Sequence, residues 1–310
     1  MGVKKIRQNR RKSSAGTRST IFALIMVITV LCGALFFLEW LKSIGEHSPQ
    51  TAVSERYKLP SRQPYSHIEL QPYTSSVSGH IIHRKKKTIS TGTVAIIVDD
   101  MGSSIQEANS LMSINVPLTF SVIPGLSKAR EVDRVAHERG YQVMVHIPME
   151  PKDYPRQRLE DNGLLLSQPD AEIPQRVTSY FNQVPHAAGA NNHMGSRFTE
   201  DGNKMKVVLN QIKAHGLFYI DSRTTPNSVG LSLAQAMDID AAGRNVFLDN
   251  TKDIGAITTQ LEQLASLARK KGSAIGICHP HKVTIQALAI NLPRLKGEGI
   301  SFVHVGDIVR

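Results

Sequence analysis

Beyond Thr93 the chain repeats one pattern: a short, uninterrupted apolar run followed by a longer segment with helical spacing. The apolar runs fall at residues 94–98, 118–123, 142–145, 187–190, 217–220, 245–248, 273–278 and 300–305. Helical spacing covers 104–113, 128–139, 171–181, 200–215, 231–237, 254–271 and 283–292. A run such as VAIIV has no polar face, so both of its faces must be covered, as in a parallel sheet flanked by helices. Sustained strand–helix alternation therefore predicts an α/β fold, either a wound sheet or a (β/α) barrel. Gly140 and Gly272 directly follow Arg139 and Lys271, where a helix end favours glycine.

The first 91 residues read differently. Residues 21–38, IFALIMVITVLCGALFFL, carry no charge and are long enough to span a bilayer as a helix. A cleaved signal peptide needs a small-x-small site, but Phe36, Phe37, Leu38, Glu39 and Trp40 follow. Leu31 before Cys32 is a poor match to a lipoprotein site. The pattern predicts an uncleaved transmembrane signal anchor at 21–41. Seven basic residues precede the span and only Lys42 closely follows it. The positive-inside rule then makes 1–20 a basic cytoplasmic tail and puts Ser43 onward outside. The expectation is a single pass of the inner (cytoplasmic) membrane, with the folded domain periplasmic in a Gram-negative cell. Residues 42–91, rich in Ser, Pro, Gln, Tyr and His, read as a flexible linker, which leaves 92–310 as the folded domain.

Those seven cations, with Arg84, Lys85, Lys86 and Lys87, account for the whole formal net charge of +11. The rest of the chain is balanced. A nucleic-acid-binding domain spreads its basic residues over a folded face, so no nucleic-acid partner is expected. Cys32 lies in the apolar span and Cys278 in a strand-like run, a pattern that does not decide the redox compartment.

Polar residues follow the apolar runs. Asp99 and Asp100 follow the first; His146 follows the third, with Glu150 four positions on. Asn191, Asn192 and His193 follow the fourth, Asp221, Ser222 and Arg223 the fifth, Asp249 the sixth, and His279, Pro280 and His281 the seventh. Parallel strands open their carboxyl ends on one side, so these acids and imidazoles should converge there. Each residue has a plainer use, since an Asp after a strand often caps the next helix. Two adjacent acids repel when both ionise, and a cation or a shared proton relieves that repulsion.

The segments VAIIVDDMG, LTFSVIPG, GYQVMVHIPMEP, NNHMGSRFT, FYIDSRT, RNVFLDN and GICHPH together resemble the divergent polysaccharide deacetylase family, a distant branch of the NodB-type carbohydrate esterases. The resemblance covers about Thr93 to the C-terminus. It implies a distorted (β/α) barrel around a divalent metal ion, usually zinc. It also implies that Asp99 is the general base and Asp100 a metal ligand. The H-x-x-x-H pair of the NodB type reads His146-Ile-Pro-Met-Glu150 here, with Glu at the second position. His146 remains as a ligand, and His193 is the candidate for the missing imidazole.

One Asp and two His with an open position suit a catalytic ion, which acidifies water and polarises an amide carbonyl. In that scheme Asp99 takes the water's proton, Arg223 steadies the carboxylate or the oxyanion, and His279 or His281 protonates the leaving amine. Glu150, Asp221 and Asp249 are candidates for an additional ligand or for orienting the imidazoles. The expected activity is a membrane-anchored, metal-dependent hydrolase that removes acetyl groups from amino sugars of a cell-envelope polysaccharide. The alternative is an envelope protein that binds glycan or a partner on the same fold without turnover, which Glu150 at a His position favours. A phosphoesterase is weaker, because no phosphate-cradling glycine loop is visible.

Overall fold

The computed structural model describes residues 91–310. The tail, signal anchor and most of the linker expected at 1–91 lie outside the described residues. Among the described residues no helix is long and apolar enough to cross a membrane.

Nine parallel strands form one curled sheet: β1 (Gly92–Met101), β2 (Thr119–Val122), β3 (Gln142–Met149), β4 (Ala187–Met194), β5 (Phe218–Asp221), β6 (Ala241–Gly243), β7 (Val246–Phe247), β8 (Ser273–Cys278) and β9 (Ile300–Val303). Seven helices alternate with them: α1 (Ile105–Met112), α2 (Ala129–Glu138), α3 (Ile173–Gln183), α4 (Gly202–Ala214), α5 (Gly230–Ala236), α6 (Ile254–Lys271) and α7 (Lys282–Gly297). The strand order is β6-β5-β4-β3-β2-β1-β8-β7, with β9 paired to the first half of β1. The two edge strands, β6 and β7, are consecutive in the chain. Their link, Arg244–Asn245, bonds to both sides: Arg244 N–H donates to Asp221 O (3.0 Å, β5) and Asn245 N–H to Ile275 O (2.9 Å, β8).

Strand alternation divides the core into two layers. Val94, Ile96 and Val98 of β1 join the large cluster shared with the helices, including Leu111, Val132 and Leu261. Ala95 and Ile97 point the other way, into a smaller cluster inside the curl with Met144, Ile220, Ile275, Ile277, Val305 and Val309. Truncating a fully buried side chain such as Ile97 to Ala costs about 2–5 kcal/mol. The inner cluster fills the floor of the curl. The C-terminal turn seals it: Val305 N–H donates to Thr119 Oγ1 (3.0 Å) and Gly306 N–H to Gln142 Oε1 (2.9 Å).

Three features differ from the sequence expectation. Strands β1, β3 and β4 run three or four residues further, so Asp99, Asp100, His146 and His193 stand within strands. The two histidines are paired in register across β3 and β4, His146 opposite Asn191 and His193 opposite Pro148. Strand β6 was not expected, because Ala-Ala-Gly offers no apolar run. Helix α7 passes Pro293 to Gly297, because Leu292 and Leu295 are both buried and hold the helix across the missing donor.

Candidate active site

Inside the curl, the alternation that packs Ala95 and Ile97 continues to Asp99, which is 3% exposed. Strict alternation would send Asp100 to the helix side. It does not, because the β1–β2 register shifts between Val98 and Met101 and Asp100 adopts a left-handed φ of 57°. Both carboxylates therefore reach the same mouth. On β3, Met144 and then His146 point inward, and on β4 Asn191 and His193 do so.

The result is a compact donor set. Asp100 Oδ1 lies 3.3 Å from His146 Nε2 and 2.8 Å from His193 Nδ1, and the two imidazole nitrogens are 3.2 Å apart. All three atoms fall within 4.8 Å of one another. Asp100 Oδ1 is buried yet makes no well-formed hydrogen bond, and His193 Nδ1 and His146 Nε2 lie within hydrogen-bond distance of each other, so the three atoms crowd one point. One carboxylate oxygen and two imidazole nitrogens fit a zinc-like divalent ion with an open position. Burial pushes the Asp100 carboxyl up, but the two imidazoles outweigh it and carry the group well below the usual range.

Asn191, which sequence reasoning noted but gave no role, organises this set. Its Nδ2 donates to Asp99 Oδ1 (2.8 Å) and to Ser222 Oγ (3.2 Å). Its Oδ1 accepts from Ser121 Oγ (2.6 Å) and faces His146 Nδ1 at 2.7 Å. With the amide oriented by these donors, His146 carries its proton on Nδ1, and the Nε2 lone pair faces Asp100. Burial raises the Asp99 carboxyl above its ordinary value, against the opposing charges of His146 and His279 and the Asn191 bond. The acids likewise raise His146, although burial opposes them.

A cavity of about 300 Å³ opens over the set, lined by Asp99, His146, His193, Ser222, Phe247 and His279 among others. His279 Nε2 lies 3.8 Å from Asp100 Oδ2. Asp249 holds the other side of that ring: its Oδ1 is 3.1 Å from His279 Nδ1, and its Oδ2 accepts from His279 N–H (2.7 Å) and Thr284 Oγ1 (3.0 Å). Burial opposes the charge on His279, but Asp249, Asp99 and Asp100 raise its pKa to about 9. His281 stacks behind it at 5.8 Å, outside the cavity lining, where burial and Lys252 lower its pKa. Asp249, His279 and His281 form a second close group, but both Asp249 oxygens are already engaged.

Three sequence candidates do other work. Glu150 is 4% exposed, and both its oxygens are taken, one by Arg197 Nη1 (2.7 Å) and one by Leu166 N–H (2.7 Å). It fastens the segment that follows β3 and is not part of the donor set. Asp221 falls on the outer face of β5, next to Tyr219, and accepts from Ser228 Oγ (2.8 Å), Leu231 N–H (3.1 Å) and Arg223 N–H (2.8 Å). It caps the start of α5 and orients no imidazole. Arg223, with φ of 50°, lines a separate groove of about 730 Å³ beside Thr225 and Ser232. The arginine that feels the charge of Asp99 is Arg244, half-buried, 5.0 Å over the Phe247 ring and bonded through Nε to Ser222 O (2.7 Å). Only its place just before an apolar run hinted at this.

Residues 96–309 match the family model described as divergent polysaccharide deacetylase. "Uncharacterized protein YibQ" of Escherichia coli K12 is 35% identical over 205 residues, which cover 65% of this chain and 64% of that protein. The match thus spans slightly less than two thirds of that relative's length. An uncharacterized protein of Haemophilus influenzae is 33% identical over 217 residues, covering 70% of this chain and 76% of that one. Among solved structures, an uncharacterized protein of Agrobacterium tumefaciens C58 superposes with a TM-score of 0.67 at 24% identity, covering 71% of this chain and 89% of that one. It shares the fold.

Proposed function

Because the chain belongs to the divergent polysaccharide deacetylase family, we propose that it is a divalent-metal-dependent hydrolase that removes acetyl groups from the amino sugars of a cell-envelope polysaccharide. The observation that carries this reading is the convergence of Asp100 Oδ1, His146 Nε2 and His193 Nδ1 within 4.8 Å, beneath a cavity that also holds Asp99 and His279. The proposed setting is the outer face of the inner membrane, reached through the apolar segment at 21–41 and the linker at 42–91.

Asp100, His146 and His193 would hold the ion, and zinc is the proposed occupant. When bound, such an ion supplies Lewis acidity toward the amide carbonyl and the attacking water. Asp99, its affinity for protons raised by burial, takes the proton as the water oxygen bonds to the carbonyl carbon. His279, kept protonated by Asp249, gives its proton to the amide nitrogen as the C–N bond breaks. Acetate and a free amino sugar leave. Arg244 contributes positive charge near Asp99, the part that sequence reasoning gave to Arg223.

The test uses the purified full chain, with its metal content measured and acetate release followed on N-acetylated glycan fragments. Bound divalent ion and acetate release, both lost in a folded Asp100→Asn variant, are expected. Full activity in Asp100→Asn would overturn the reading. Ion binding without acetate release from any N-acetylated glycan would instead favour glycan binding without turnover, the alternative that Glu150 at the usual His position supports.

A further inference from the structure

His193 uses one ring nitrogen toward the donor set and turns the other away from it. Nδ1 faces Asp100 Oδ1 and His146 Nε2, whereas Nε2 faces Glu160 Oε2 at 3.6 Å. His193 Nε2 and Glu160 Oε2 are both buried, and neither has a hydrogen-bond partner. A neutral imidazole carries a single N–H. For Nδ1 to offer a lone pair at the shared point, the proton must sit on Nε2, and Glu160 is the carboxylate that meets it there. His146 solves the same problem in mirror image, with its proton on Nδ1 facing Asn191 and its lone pair on Nε2.

We propose that Glu160 is a positioning residue for the ion site: it accepts the Nε2 proton of His193 and so fixes the tautomer and ring angle of that ligand. The inference rests on the metal reading above and deepens it. It also gives the segment between β3 and α3 a task. That segment is braced where Glu160 needs it, by Leu164 N–H to Pro148 O (2.8 Å), Glu150 N–H to Leu164 O (2.9 Å) and Asn162 Nδ2 to Pro124 O (2.9 Å). Tyr180 Oη adds a bond to Asn162 O. Glu160 thus reaches His193 from an anchored support. Carboxylates and carbonyls that accept from a ligating imidazole commonly set its basicity, and their loss costs about 10–100-fold in metal affinity.

The experiment strips the full-length protein of metal and titrates it with zinc against a competing chelator. The visible spectrum of the cobalt(II)-loaded protein gives a second readout. Glu160→Ala should weaken zinc binding about 10-fold or more and alter the cobalt spectrum, while the thermal midpoint of the metal-free protein stays unchanged. Glu160→Gln keeps an acceptor oxygen and should restore most of the affinity. Should the alanine variant not fold, Glu160→Asp withdraws the acceptor by one methylene and should weaken binding several-fold. Zinc affinity unchanged in folded Glu160→Ala or Glu160→Asp overturns this inference alone. A wild-type protein that binds no divalent ion overturns the metal reading together with it.

Discussion

Asn191 Nδ2 donates to Asp99 Oδ1 at 2.8 Å, while the same side chain's Oδ1 faces His146 Nδ1 at 2.7 Å. One neutral amide therefore orients the proposed base and a proposed ligand together. Asn191→Leu strips Asp99 Oδ1 and His146 Nδ1 of that hydrogen bond in a buried setting. Zinc affinity should fall about 10–100-fold, and the Asp99 carboxyl, losing a bond that lowers its pKa, should titrate higher still. Zinc titration and the acid limb of the pH–rate profile read the two effects.

The His279–Asp249 pair predicts a pH dependence for the metal-free protein. His279 is raised to about 9, so its contribution is fully present below its unfolded pKa of about 6.5 and is lost as pH rises through 9. Asp249 is lowered, since the His279 bonds outweigh burial, so its contribution is present above about 4 and is lost as pH falls. The pair should add stability, of order a few kcal/mol, between about pH 4 and 6.5, fading toward 9. In Asp249→Asn, denaturant midpoints should fall least short of wild type above pH 9. A gap that widens there would contradict the assignment.

His279→Gln removes the proposed acid without emptying the donor set. The rate of acetate release should drop by about 10²–10⁴-fold, with zinc affinity nearly unchanged. His281→Gln, outside the cavity, should cost far less in the same assay.

Asp221 caps α5, so Asp221→Asn should lower stability by about 1–2 kcal/mol in denaturant titration and leave zinc affinity alone. A loss of zinc binding at unchanged stability would restore Asp221 to the site.

Glu150→His restores the H-x-x-x-H spacing of the NodB type. It should bring no gain in zinc affinity, because Glu150 is bonded to Arg197 and Leu166 N–H and not aimed at the donor set. The expected costs are about 1–3 kcal/mol of stability and faster proteolysis between residues 152 and 168, measured as digestion rates.

Much of this site was readable from the chain. The apolar runs located eight of the nine strands, and their polar ends named Asp100, His146 and His193. Strand parity carries further information. Counting inward from Ile275 and Ile277 reaches His279, and counting outward from Tyr219 reaches Asp221, which separates the inward histidine from the helix-capping acid. Parity fails at Asp100, where the register shift and left-handed backbone turn the side chain back; a period-two count cannot foresee a bulge. Nor could spacing pair Asn191 with Asp99 or Glu160 with His193, because those contacts depend on strands that meet only after folding. Arg244 was hidden for a different reason: the two-residue link that carries it joins the sheet's edges, and β6 leaves no apolar trace.

The C-terminal turn acts as a stopper. Val305 and Val309 enter the curl from below, with Ile308 packed against them, and Arg310 O receives Ala241 N–H at 3.5 Å. Clipping the last six residues would let water rise beneath Ile97 and Met144, directly under the acids and imidazoles. Damage at the far tail of the polypeptide would then surface as a loosened donor set at the opposite end of the curl.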